Sequence, residues 1–310
     1  MIIELHAKSD VGRVRRGNED NFLLLDLSTG KALTHSDGVE TPPELSRFDL
    51  GDKGLVLVVS DGMGGALAGD VASKMAVEGV REMLVGSEDD ADGQELCSTE
   101  DATLVDCLRN ATVYANLAIH HRSQSDSRCS GMGATFTGAA IKKGVLDLVQ
   151  VGDSRAYMLR SDEIKQVTKD QSLVQQLVDV GQITEEEAET HMFRNVILQA
   201  LGAQGELAPV TGRAHLRNSD YLLLCSDGLS NKLSAEDMQR IVKANANDLA
   251  AACAEMIDEA NRRGGEDNIT VVLARFTGED LEAPDSNEIT IESSASALDQ
   301  TEDDTSETLR

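Results

Sequence analysis

An α+β fold is what this sequence predicts, from three observations. Short runs rich in Leu, Val and Ile recur along the chain at strand length. Two links between successive runs, Lys142-Lys143-Gly144 and Gly152-Asp153-Ser154-Arg155, are too short for a helical crossover and imply an antiparallel meander. The helical stretches stand apart from that block instead of alternating with its strands.

In chain order, strands are expected at Ile2 to Leu5, Phe22 to Leu25, Leu55 to Val59, Thr135 to Ile141, Val145 to Val151, Ala156 to Leu159, Tyr221 to Cys225 and Ile269 to Phe276. Helices are expected over Ala68 to Leu84, Ala102 to His120, Ser172 to Val180 and Leu249 to Arg262. In the last of these, Leu249, Cys253, Met256, Ile257 and Ala260 recur at three- and four-residue spacing and form one apolar stripe. Thr184 followed by Glu187 is a capping-box pair, and Gly181 just before it is a helix stop, so a helix-turn-helix excursion is expected near residues 170 to 190. Residues 28–53 carry Pro42-Pro43 and no hydrophobic period, while residues 86–101 hold seven acidic side chains and no Lys or Arg. Both read as peripheral insertions. From Thr277 onward eleven acidic residues face only Arg310 in a Ser/Thr-rich stretch with a local balance of −10. A disordered acidic tail over 277–310 is therefore expected behind a domain spanning 1–276.

The length of 310 residues allows one large mixed domain or two smaller ones. Subtracting 55 acidic from 28 basic residues gives a net charge of −27, which excludes a broad basic face for nucleic acid or anionic membrane. Aromatic residues make up only 3% with no Trp, so base-stacking platforms are not expected either. The five cysteines are scattered without any CxxC, which argues against a disulfide framework or a zinc knuckle and for a reducing cytoplasm. Glu4 interrupts the first apolar run, so a secretory signal is not expected. Apolar runs elsewhere fall far short of the ~20 residues that span a bilayer, so a soluble protein without membrane insertion is expected.

Four acidic signatures abut strands: Asn18-Glu19-Asp20-Asn21 before the run at 22, Ser60-Asp61-Gly62 after the run at 55, Ser226-Asp227-Gly228 after the run at 221, and Glu266-Asp267-Asn268 before the run at 269. One Asp-Gly alone is an ordinary turn. Four such sites brought together would repel by about 4 kcal/mol per pair at 4 Å and an effective dielectric near 20, so a positive charge must sit between them. None of the four signatures contains a His or Cys, which points to Mg²⁺ or Mn²⁺ in place of Zn²⁺. Hard cations held by carboxylates serve phosphate chemistry, and Arg13, Arg15 and Arg16 stand just before Glu19 to grip a phosphate. Gly152-Asp153-Ser154-Arg155 reads as a hairpin link whose charges pair locally, and Cys225 as a buried thiol.

Ser9-Asp10-x-Gly12-x-x-Arg15-x-x-Asn18-Glu19-Asp20-Asn21, Asp61-Gly62-Met63-Gly64-Gly65, Gly133-Ala134-Thr135, Gly152-Asp153-Ser154-Arg155, Ser226-Asp227-Gly228 and Gly265-Glu266-Asp267-Asn268-Ile269-Thr270 occur in one order. In this the chain resembles, over residues 4 to 276, the bacterial metal-dependent protein serine/threonine phosphatases of the protein phosphatase 2C family. The resemblance implies a four-layer α-β-β-α sandwich, two antiparallel sheets flanked by helix pairs. It implies two Mn²⁺ or Mg²⁺ ions, with Asp61 bridging both, the Gly62 carbonyl on the first, and Asp227 and Asp267 on the second. Glu19 resembles the residue that reaches a metal through water, Asp20 the acid beside it, and Arg15 the phosphate-binding arginine. A flap is implied near 170–202. The implied activity is hydrolysis of phosphoserine and phosphothreonine on proteins by metal-activated water, in signal transduction opposed to a cognate Ser/Thr kinase.

Three positions depart from the family pattern. Met63 stands where animal members carry a proton-donating histidine, Ser130 where a third-metal aspartate is expected with Asp126 out of register, and Gln171 where the flap has histidine. Two alternatives from other classes are a silent phosphoprotein-binding module and a two-metal phosphodiesterase or nuclease. The presence of Asp61, Asp227 and Asp267 argues against the first, and the acidity and scarcity of aromatics against the second.

Overall fold

The computed structural model describes residues 1–35, 40–85 and 103–293. Along the chain run β1 (Ile2–Asp10), β2 (Asp20–Asp26), β3 (Ala32–Thr34), α1 (Pro43–Ser46), β4 (Arg47–Asp49), β5 (Leu55–Met63), α2 (Ala66–Val85), α3 (Leu104–Ser125), β6 (Gly133–Ala134), β7 (Phe136–Lys142), β8 (Val145–Val151), β9 (Arg155–Arg160) and β10 (Glu163–Gln166). These are followed by α4 (Leu173–Asp179), α5 (Glu185–Thr190), β11 (Val210–His215), β12 (Tyr221–Cys225), α6 (Asp227–Ser230), α7 (Ala235–Ala244), α8 (Leu249–Arg262), β13 (Ile269–Thr277) and β14 (Glu292–Ser293). All eight strands and all four helices expected from the sequence are present. The 170–190 excursion is α4 and α5, and the Thr184–Glu187 capping box forms as expected.

Two antiparallel sheets carry the fold. One has the order β10-β9-β12-β13-β1-β4; the other runs β14-β11-β8-β7-β5-β2-β3, with β6 paired to β5. The central strands β2, β5 and β13 read as near-continuous apolar runs because both of their faces are buried. Leu55, Leu57 and Val59 of β5 enter the core between the sheets, while Val56 and Val58 face α2 and α3 with Ala72, Ala76 and Leu108. In β13, Val272, Ala274 and Phe276 face inward, while Val271 and Leu273 meet Met238, Ile241 and Met256 of α7 and α8. Helix pair, sheet, sheet, helix pair is therefore the layer order.

The pairing registers gather the acidic signatures at one end. Asp20 at the start of β2 lies opposite Asp61 near the end of β5. Cys225, the last residue of β12, lies opposite Val271 near the start of β13. Asp227 and Asp267 therefore emerge on the same side.

Two peripheral readings are corrected. Residues 28–53 supply an edge strand to each sheet, β3 on β2 and β4 on β1, with Leu33 and Leu45 buried. The stretch from Thr277 to Ser293, expected to be disordered, is packed. Leu281 and Ile289 enter the inter-sheet core and β14 pairs with β11. Its anchor is Arg160, whose guanidinium donates to Asp220 (3.0 and 2.8 Å), to the Glu288 carbonyl (2.8 Å) and to the His215 carbonyl (2.8 Å). The expected insertion at 86–101 and the rest of the tail, 294–310, lie outside the described residues. Cys129, Cys225 and Cys253 are buried free thiols, but Cys107 is disulfide-bonded, which the scattered cysteine spacing does not anticipate. Among the described residues no helix is long and apolar enough to cross a membrane.

Asp220 and Arg160 are both nearly inaccessible, with 1% and 8% side-chain exposure, so removing either leaves the other charged and unpaired. Asp220→Ala is expected to cost about 3–5 kcal/mol of stability, read as a lowered urea midpoint. A variant as stable as the parent would show that the anchor contributes nothing.

Candidate active site

A cavity of about 240 Å³ opens at the gathered strand ends, lined by Arg15, Glu19, Asp61, Gly62, Asp227 and Asp267 together with Met63, Asp153 and neighbours. Every site residue expected from the sequence lines it except Asp20. That side chain lies beneath the floor, 2% exposed, and accepts a hydrogen bond from Ser226 Oγ at 2.6 Å. Arg13 and Arg16, the other two candidate phosphate arginines, do not line the cavity.

Backbone contacts set the floor. The Gly62 N–H donates to the Glu19 carbonyl at 3.1 Å, and the Glu19 N–H donates to Asn268 Oδ1 at 2.8 Å, linking three of the four acidic signatures. A Cβ on Gly62 would sit 2.1 Å from the Gly69 carbonyl oxygen, so the strand end and the start of α2 meet at a spacing only glycine permits. A Cβ on Gly228 would likewise meet the Asn268 carbonyl at 1.9 Å. The Asp61 N–H donates to Thr135 Oγ1 at 2.9 Å, and that hydroxyl pairs with Ser154 Oγ at 2.6 Å. Part of the Gly152–Arg155 motif thus braces Asp61.

The same motif corrects the sequence reading. Arg155 does not pair with Asp153 but forks onto Asp170, with Nε 3.0 Å from both oxygens and Nη2 2.7 Å from Oδ2. Asp153 instead turns into the cavity. Its position immediately after β8, at the same sheet end as Asp61, was the signal available in the sequence. Cys225 is a buried thiol as expected, pushed up to about 12 by burial.

Electrostatically the site is under strain that cations would relieve. Burial first, then the neighbouring Asp20 and Asp227, hold the Asp61 carboxyl well above its ordinary range. Asp227 is raised to about 6 by burial and Asp267, and Asp153 to about 7 by burial, Asp227 and Asp170. Asp20 is raised to about 7, again by burial first, with Asp227 and Asp267 adding to it against the hydroxyls of Ser226 and Thr270. Buried oxygens Oδ1 of Asp20 and Oδ1 of Asp227 have no hydrogen-bond partner.

Among the described residues no three of these side chains already surround a single point as a finished cation cage. Arg15 Nη2 lies 2.8 Å from Asp267 Oδ2 and supplies the positive charge on that side. The donor set is nonetheless all oxygen, partly orphaned and short of positive charge. It fits hard divalent ions. Ser130 is exposed, and Asp126 is engaged by Arg122 (3.2 Å) and Arg128 (2.8 Å); neither lines the cavity.

Comparison with known proteins agrees with this geometry. Residues 45–273 match the family model described as "Protein phosphatase 2C". The serine/threonine phosphatase stp of Listeria innocua is 35% identical over 271 residues, covering 87% of this chain and 95% of that protein. The protein phosphatase PhpP of Streptococcus pneumoniae is 36% identical over 227 residues, covering 73% of this chain and 88% of its own. Among solved structures, the serine/threonine phosphatase of Mycobacterium tuberculosis superposes with a TM-score of 0.69 at 33% identity, covering 90% of this chain and all of that one. A catalytic domain of PstP in complex with two manganese ions gives 0.68 at 32% identity, covering 89% and 99%. The chain belongs to the protein phosphatase 2C family. It is a metal-dependent protein serine/threonine phosphatase.

The raised carboxyls carry a sign for stability. In the unfolded chain an Asp titrates near 3.9, whereas in the folded chain Asp20 and Asp153 titrate at about 7 and Asp227 at about 6. Between these values the folded state binds more protons, so its stability falls as pH rises through that window. Metal must displace those protons, so millimolar Mn²⁺ is expected to raise the melting temperature more at pH 8 than at pH 5. A shift that is equal at both pH values, or larger at pH 5, contradicts this account.

Proposed function

We propose that this chain hydrolyses phosphoserine and phosphothreonine on cytoplasmic proteins, opposing a Ser/Thr kinase, with two Mn²⁺ or Mg²⁺ ions at the strand ends. The observation that carries this reading is the convergence of Asp61, Asp227 and Asp267, with Arg15, on one cavity. Asp61 and the Gly62 carbonyl would hold one ion, and Asp61, Asp227 and Asp267 the other. When bound, such ions polarise phosphoryl oxygens and lower the pKa of water. Two ions are proposed, because Ser130 and Asp126 offer nothing to a third at this cavity.

The chain's own side chains supply the rest. Arg15, with 47% side-chain exposure on the cavity wall, presents a planar fork to two phosphate oxygens. In a protein of net charge −27 this guanidinium offsets repulsion of the incoming anion. Glu19 faces the same space and orients water by accepting its hydrogen bonds, and Asp20 holds the floor through Ser226. Met63 lines the cavity and has no proton to give, so the leaving oxygen takes its proton from water or from a cavity carboxyl. The catalytic unit extends through Ser293, since the 277–293 strap closes the inter-sheet core.

With Mn²⁺ present, a phosphothreonine peptide is expected to be hydrolysed, EDTA to stop the reaction, and Asp227→Asn to remove nearly all turnover. Arg15→Ala should lower kcat/KM about 10- to 150-fold, the value of one or two charge-assisted hydrogen bonds. Steady-state phosphate release measures both. Full activity in Asp227→Asn would move the chemistry elsewhere.

A further inference from the structure

The rim of the catalytic cavity carries an apolar wall that phosphate hydrolysis does not require. Met192, Phe193, Val196 and Leu198 are all exposed, Met192 by 82% and Phe193 by 44%. Interleaved with them, Asn195 and Ile197 line the cavity itself. Ridge and cavity are therefore one continuous surface. The ridge is also held in place: the Leu173 N–H donates to the Val196 carbonyl (2.9 Å) and the Leu198 N–H to the Gln171 carbonyl (2.8 Å). Gln171 is in turn tied to Gly152, the neighbour of Asp153, by its backbone N–H (2.9 Å) and by its side-chain carbonyl (2.8 Å). The position that departs from the family's histidine thus links the ridge to the site.

Just before the ridge, α5 exposes Glu185, Glu186, Glu187 and Glu189, and Arg194 is the only Lys or Arg between residues 180 and 198. A solvated apolar surface bordered by four carboxylates complements a polypeptide that is apolar near the cavity and basic beyond it. A flexible Met beside an aromatic ring suits burial of varied apolar side chains.

We propose that the ridge docks the polypeptide flanking the phosphorylated residue, and that it selects phosphoproteins carrying large apolar side chains next to the phospho-Ser or phospho-Thr, with Lys or Arg further out. The proposal rests on the phosphatase reading above and narrows its substrate class. Contacts inside the cavity are alike for every phosphoester, so this discrimination must come from the rim.

The test compares wild type with a Met192→Ser/Phe193→Ser double variant, both with Mn²⁺, on three substrates. These are a phosphothreonine peptide with Leu and Phe flanks and Arg beyond, the same peptide with Ser flanks and Glu beyond, and p-nitrophenyl phosphate. Wild type should favour the first peptide at least about tenfold in kcat/KM, and the double variant should lose that preference mainly through KM. Its turnover of p-nitrophenyl phosphate should stay within about twofold of wild type, since neither residue lines the cavity. Glu186→Gln/Glu189→Gln should weaken the preference for basic residues and flatten its salt dependence. Equal turnover of the two peptides by wild type, or equal slowing of peptide and p-nitrophenyl phosphate in the double variant, overturns the proposal. If wild type leaves all three substrates intact, it is the phosphatase reading that fails.

Discussion

Like-charged carboxylates forced out of water together are the constraint on which the structure turns. Asp20, Asp61, Asp153 and Asp227 are each pushed above their ordinary range, in every case by burial first and by neighbouring acids second. A single such group is easily avoided by a fold; a cluster at converging strand ends persists because the surrounding structure holds it. Thr135, Ser226 and Asn268 are themselves buried and pin the backbones and side chains that carry these acids. The stored repulsion is the counterpart of cation affinity: ions that neutralise the cluster recover what its assembly costs.

The sandwich makes that assembly possible. Since β2 and β5 belong to one sheet and β12 and β13 to the other, the site is shared between layers and depends on the core that joins them. That core reaches further than a domain ending at 276 would allow, because Leu281 and Ile289 complete it and Arg160 fastens the returning chain. The strap closes the sandwich while leaving the metal end open.

Charge organises recognition as well. An overall balance of −27 repels anions at long range, so a phosphorylated partner needs local positive charge at the cavity and favourable contacts at its rim. Arg15 and the cation-demanding cluster meet the first need. The ridge from Met192 to Leu198, bordered by the acidic α5, meets the second for a partner whose own charge is basic.

Much of this was legible in the sequence. The apolar runs marked all eight expected strands, most plainly β2, β5 and β13, where burial on both faces leaves a near-continuous signal, and Asp61, Asp227 and Asp267 were recognisable from their places at strand ends. What escaped was short, polar or edge-bound. β10 and β11 mix charged and small residues along the sheet margins, and α7 rests on only Met238, Ile241 and Val242. In sequence, Arg155 stands close to Asp153 as a local partner, and only the fold shows that Arg155 turns to Asp170. The acidity from 277 onward hid two buried apolar residues, whose value depends on an inter-sheet gap that no local pattern reveals. Local composition thus determined which segments are strands and which residue types would do the chemistry. Which acids share a cavity, and which cation each one meets, was decided by long-range packing, because burial and Coulomb energies depend on distances in space that sequence separation does not encode.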